Sequence, residues 1–184
     1  YRNTQAWDEL VSTLHRMIEI GAATLEDGEI KEIYAQLGEL YGDTLMRPMD
    51  AVDAWRKVLE VDPADMRALQ ALEKLHRQEG QWEDCVRVLD QKARVLTEPA
   101  EKIEALLTIA NIWEDKIGER DASATAYETV LAIDPLHEQA FHSIEGLYRD
   151  GAQWEKLTEL YLTRTEHVPT DADKVKLLLP VAKV

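Results

Sequence analysis

Cysteine is nearly absent from this chain of 184 residues. Cys85 stands alone, which excludes an internal disulfide framework and any zinc site built from several thiolates. Glycine and proline are sparse, at 8 and 6, which argues against a loop-rich or many-turned β protein. No apolar run reaches the roughly 18 residues that a membrane-spanning helix needs, so no membrane insertion is expected. Positive charge is short as well: 21 Lys and Arg face 36 Asp and Glu, for a net charge of −15. A nucleic-acid backbone needs a clustered basic surface, and an anionic bilayer needs the same, so neither partner is expected. The five histidines, at 15, 76, 137, 142 and 167, include no pair spaced to bring two imidazoles onto one helix face for a metal. There is no glycine-rich phosphate loop, no Gly-x-Ser-x-Gly elbow and no Asx-rich calcium loop. The chain therefore reads as non-catalytic, with no catalytic residue, metal site or cofactor. The first residues carry neither an initiator Met nor an apolar leader core, so the expectation is a piece of a longer protein. The compartment is left unknown, with the absence of a signal peptide and the single cysteine favouring the cytoplasm.

What the sequence does have is periodicity. Pro63, Pro99, Pro135 and Pro169 are separated by 36, 36 and 34 residues. A shift of 72 residues lays Val58-Leu59-Glu60-Val61-Asp62-Pro63 on Val130-Leu131-Ala132-Ile133-Asp134-Pro135, and Gln81-Trp82-Glu83 on Gln153-Trp154-Glu155. A fixed period in this range marks stacked repeats. Each half of the 72-residue unit reads as two helices, because Ile33, Leu37, Leu40 and Tyr41, then Val52, Trp55 and Leu59, recur at helical spacing. Leu69, Leu72 and Leu75, then Cys85, Val88 and Leu89, do the same. Turns are expected at Arg47-Pro48, Glu79-Gly80-Gln81 and Asp150-Gly151. Asp62-Pro63 and Asp134-Pro135 should each stop one helix and start the next, and Pro180 should end or kink the last.

These positions resemble the tetratricopeptide repeat family. Tyr34, Leu37, Gly38 and Tyr41 sit at that family's first-helix spacing, and Ala51, Trp55, Val58 and Pro63 continue it with one residue inserted at the inter-helix turn. Leu106, Ile109, Ala110, Trp113, Ser123, Tyr127, Val130 and Pro135 repeat the pattern. The intervening units diverge, with Glu73 and Glu145 where the pattern has a small residue at the close contact between helices. The resemblance implies an all-α, right-handed tetratricopeptide-like solenoid of about ten antiparallel helices. It divides the chain into a second-type helix (1–29), four repeats (30–63, 64–99, 100–135 and 136–169) and the first helix of a truncated unit (170–184).

In the family, first helices line a concave groove that meets a peptide. Carried onto this chain, the groove positions are Glu32, Gln36, Glu39 and Asp43, then Arg67, Gln70, Lys74 and Arg77. In the second half they include Glu104, Thr108, Asn111, Glu114 and Asp115, then Gln139, His142, Ser143, Gly146 and Arg149. The implied groove alternates in sign along the chain. One reading is recognition of a peptide, a partner protein or another domain of the same parent chain by charge complementarity. The other is that these charges pair with their neighbours, leaving an architectural spacer without a groove ligand. The oligomeric state is left open. The aromatics Tyr34, Tyr41, Trp55, Trp113, Tyr127, Tyr148 and Tyr161, and the thiol of Cys85, are expected to be core. Trp7, Trp82 and Trp154 are expected to pack between units.

Overall fold

The computed structural model describes residues 2–21 and 24–179. Ten α-helices and no strand form among them. They are α1 (Arg2–Gly21), α2 (Asp27–Glu39), α3 (Pro48–Val61), α4 (Met66–Gln78), α5 (Trp82–Val95), α6 (Pro99–Ile112), α7 (Arg120–Ile133), α8 (Glu138–Asp150), α9 (Trp154–His167) and α10 (Asp171–Leu178). Within α1–α5 and within α6–α10, successive helices pack as antiparallel pairs. Residues 1–95 and 96–184 form two compact units. Pro180 lies outside the described residues.

In the first unit each helix buries one stripe. On α4 the stripe is Ala68, Leu69, Leu72, Leu75 and His76, spaced so that one face looks inward at every turn. It joins Ile33 and Leu37 of α2 and Val52, Trp55 and Val58 of α3 in one apolar core. Burying each such large side chain contributes roughly 1.5–3 kcal/mol. The pair α2/α3 closes through Gly38, over which the Trp55 indole lies flush. In the second unit the α8 stripe is Ala140, Phe141, Ile144, Leu147 and Tyr148, set against Ser123, Ala126, Tyr127 and Val130 of α7.

The helix starts follow from local chemistry. Pro48 and Pro99 occupy first turns, where a missing N–H costs nothing. Asp65 caps α4 by accepting the Ala68 N–H at 3.1 Å, and His137 caps α8 by accepting the Ala140 N–H on Nδ1 at 3.2 Å. The Asp-Pro pairs end helices as expected but do not begin the next ones. Each Asp folds back instead: Asp62 accepts the Ala64 N–H and Asp134 the Leu136 N–H, both at 3.1 Å, and the following helix starts beyond this turn.

Three other features depart from the sequence expectation. The residue inserted after the first helix is absorbed by a wide π-turn, Leu40–Thr44, repeated at Trp113–Ile117. There the Leu45 N–H reaches the Leu40 carbonyl at 2.9 Å, and the Gly118 N–H reaches Trp113 at 2.8 Å. The turn after α8 does not place Gly151 in the left-handed region. Ala152 takes it, at φ 52°, where the first unit has Gly80 at φ 68°. Trp7 and Trp154 do not pack away; they are 37% and 45% exposed.

Candidate functional site

In the first unit the expected binding residues do share a surface. Glu32, Gln36 and Glu39 recur along one side of α2, and Arg67, Gln70, Lys74 and Arg77 along one side of α4; all are exposed. The two rows are tied together. Arg67 donates to Glu32 at 3.2 Å and to Glu39 at 2.9 Å. Lys74 stands 3.5 Å from Asp43, and Arg77 pairs with Glu73 on its own helix at 3.0 Å. The paired carboxylates hold the Arg67 guanidinium above its usual pKa, the Glu39 hydrogen bond being the main cause. Exposed pairs of this kind contribute roughly 0.2–1 kcal/mol each, so the ladder organises the surface more than it stabilises the fold.

The second unit treats the matching positions differently. Asn111 and Glu114 of the α6 side accept from the Tyr127 hydroxyl of α7 at 3.0 and 3.4 Å. His142 and Arg149 of α8 both turn toward Glu145, at 3.4 and 2.6 Å. No cation ladder forms from α8 to α6, because the places of Arg67 and Lys74 are held by Gln139 and Gly146. Cys85 is fully buried, and burial pushes its thiol up from the ordinary value, away from the thiolate that reactivity requires.

The divergent helix pairs solve the close contact with charge. Glu73 of α4 reaches Lys92 of α5 at 2.8 Å. At the same place in the second unit, Glu145 of α8 accepts the Tyr161 hydroxyl of α9 at 2.6 Å. A carboxylate bonded across the pair thus replaces the small residue seen at Gly38 and Ala110.

No family model and no curated protein matches the chain by sequence. Solved structures do match in fold. The Naa15/Naa10 complex bound to HypK-THB contains a chain that is 19% identical, with a TM-score of 0.50 over 100% of this chain and 27% of that one. MamA is 18% identical over 90% of both chains, with a TM-score of 0.47. The TPR protein TTC0263 of Thermus thermophilus is 16% identical over 99% of this chain and 92% of its own, with a TM-score of 0.38. The helix-pair order, the aromatic-on-small contact of α2 on α3 and the shared fold agree. The fold is that of the tetratricopeptide repeats.

One feature of these repeats was not visible in the periodicity. In the second unit a cleft of about 470 Å³ opens between two second helices, α7 and α9, over the first helix α8. Its floor is Phe141, Ile144 and Tyr148. At one end Tyr148 donates to Glu128, and Lys156 sits 5.4 Å from the Tyr148 ring centre. Burial, and then the Glu128 bond, push the Tyr148 phenol above its ordinary pKa. At the other end the Arg164 guanidinium lies 4.1 Å from the Phe141 ring centre. The signal that could have revealed it is the pairing of Gln91 with Thr163 and of Lys92 with Arg164 under the 72-residue shift.

Proposed function

We propose that this chain is a non-catalytic protein-interaction module. It binds a peptide or partner domain along the first-helix face through Glu32, Gln36, Glu39, Arg67, Gln70, Lys74 and Arg77. Asn111, Glu114, His142 and Arg149 carry the same role in the second unit. The observation that carries this reading is the Arg67 bridge to both Glu32 and Glu39. It holds long charged side chains in register on an exposed surface, so fewer rotamers are lost when a partner docks. Gln36 and Gln70 flank the bridge, exposed, with donors and acceptors for an extended backbone.

The test uses the chain as bait beside a Lys74→Glu/Arg77→Glu variant of matched thermal stability. A partner retained by the wild type and lost by the variant supports the reading. A partner retained equally by both removes the first-helix face of the first unit from the site. A second reading, an architectural spacer, is favoured by the same ladder, since its charges already satisfy one another. A chain that captures nothing at low or physiological salt would establish the spacer in place of the module.

A further inference from the structure

We infer that the cleft between α7 and α9 is a second docking site, separate from the first-helix face. It takes a peptide segment in which an apolar side chain stands beside a carboxylate. The apolar part lies on Phe141 and Ile144, and the carboxylate meets Arg164. Arg164 Nη1 is buried and finds no acceptor among the described residues. A guanidinium on an aromatic face with an unmet N–H becomes a receptor for a planar anion, bound through two parallel hydrogen bonds, once the side chain turns to present that N–H to the cleft.

The first unit shows why this group is left unmet. At the place of Arg164 it has Lys92, whose charge is met by Glu73 at 2.8 Å. In the second unit the equivalent carboxylate, Glu145, is taken by Tyr161, Arg149 and His142. The first unit also spans the equivalent gap between its second helices. Gln91 Nε2 donates to the Pro63 carbonyl at 2.8 Å, and Arg56 stands 3.7 Å from Asp84. In the second unit Thr163 replaces Gln91 and is too short for that bridge. The cleft is polarised as a result: Arg164 stands at the Pro135 end, and Glu128 and Glu159 outnumber Lys156 toward the other. A segment with its acidic residue at the Pro135 end and its apolar residue over Ile144 complements that field; the reverse orientation opposes it.

The probe is a blocked hexapeptide carrying one leucine and one adjacent glutamate, titrated into the full chain by NMR. The expected result is saturable shifts in the Phe141 and Ile144 amides and the Arg164 side-chain N–H. Affinity should fall at least tenfold when the peptide glutamate is replaced by glutamine. Arg164→Gln should cause a similar loss. Thr163→Gln, which rebuilds the bridge to Pro135 and leaves Arg164 in place, should also weaken binding tenfold. Lys74→Glu/Arg77→Glu should leave it unchanged, so the fate of this site is read separately from that of the first-helix face. The inference is overturned by equal binding of the glutamine peptide, by a Thr163→Gln chain that binds like the wild type, or by no saturable shift. Free hexanoate binding as tightly as the peptide would overturn the peptide as occupant.

Discussion

Gly38→Ala tests the packing of α2 on α3 most directly. A methyl group built on Gly38 would lie 2.6 Å from Trp55 Cε2, 2.7 Å from Nε1 and 2.8 Å from Cδ2. Carbon pairs rest at roughly 3.5–4.0 Å, so the indole would have to retreat by about 1 Å. These are inner ring atoms of a side chain that is 4% exposed, and no free end can swing aside. Such overpacking costs about 1–3 kcal/mol. Replacing glycine inside a helix returns about 0.8–1.0 kcal/mol. The net expectation is a loss of about 1 kcal/mol. Gly28 lies in the first turn of the same helix with nothing within 4 Å of an added methyl, so Gly28→Ala should stabilise by about 0.5 kcal/mol. Urea denaturation followed by circular dichroism and tryptophan emission separates the two. The 72-residue shift places Ala110 and Tyr127 where Gly38 and Trp55 stand, a larger small residue facing a smaller ring. Gly38→Ala/Trp55→Tyr should therefore show a favourable coupling of about 1 kcal/mol in a double-mutant cycle. A Gly38→Ala chain that gains stability as Gly28→Ala does would refute the reasoning.

The other predictions rest on single features. Ala68 is fully buried, so Ala68→Leu should lower the unfolding free energy by about 1–3 kcal/mol, and an unchanged urea midpoint would contradict the packing described. Ala152 holds a left-handed backbone that costs an L-residue about 1–2 kcal/mol. Ala152→Gly should therefore raise the melting temperature once the added freedom of the unfolded glycine is subtracted. Burial alone would raise the Glu145 carboxyl, but the bonds from Tyr161, His142 and Arg149 outweigh it and hold it below its ordinary value of 4.5. Its stabilisation is thus present above that value and lost as pH falls through the depressed one, and Glu145→Gln should flatten the acid limb of a stability–pH curve. Burial and then the Glu145 bond push the Tyr161 phenol up to about 12 from 10.0. That contribution is complete below pH 10 and lost toward 12, so Tyr161→Phe should remove it, as alkaline denaturation would show.

Much of the fold was legible because repeats write the same packing problem several times. Trp55 and Tyr127, Leu72 and Ile144, Val58 and Val130 recur at one spacing, and a 3.6-residue period at those places has no strand solution. The turns were less legible. Asp150-Gly151 reads as the glycine turn, yet the left-handed residue is Ala152, since backbone bonds from Gly151 to Leu147 and from Gln153 to Tyr148 fix which residue turns. The π-turns were hidden for a similar reason: an insertion shows in the sequence as a count, not as a hydrogen-bond register. For the first-helix face the sequence offers candidate residues of alternating sign. Only coordinates reveal that Arg67 spans Glu32 and Glu39, since the partners lie 35 and 28 residues away.

The two units differ at one position in a way that links packing to recognition. Leu89 of the first unit offers no hydroxyl, so Glu73 has Lys92 as its partner across the helix pair. Tyr161 stands at the same place in the second unit, and its hydroxyl takes Glu145 at 2.6 Å. A neutral hydroxyl now closes the helix pair where an ion pair did before. The cation is not removed; it becomes Arg164, displaced onto Phe141 with an N–H unmet. Leaving a buried charged donor unsatisfied costs about 1–3 kcal/mol or more. That cost falls in the unit whose second helices lack the glutamine bridge. Lost bridging and lost pairing thus meet in one cleft: the first leaves it open, and a carboxylate-bearing partner would relieve the second.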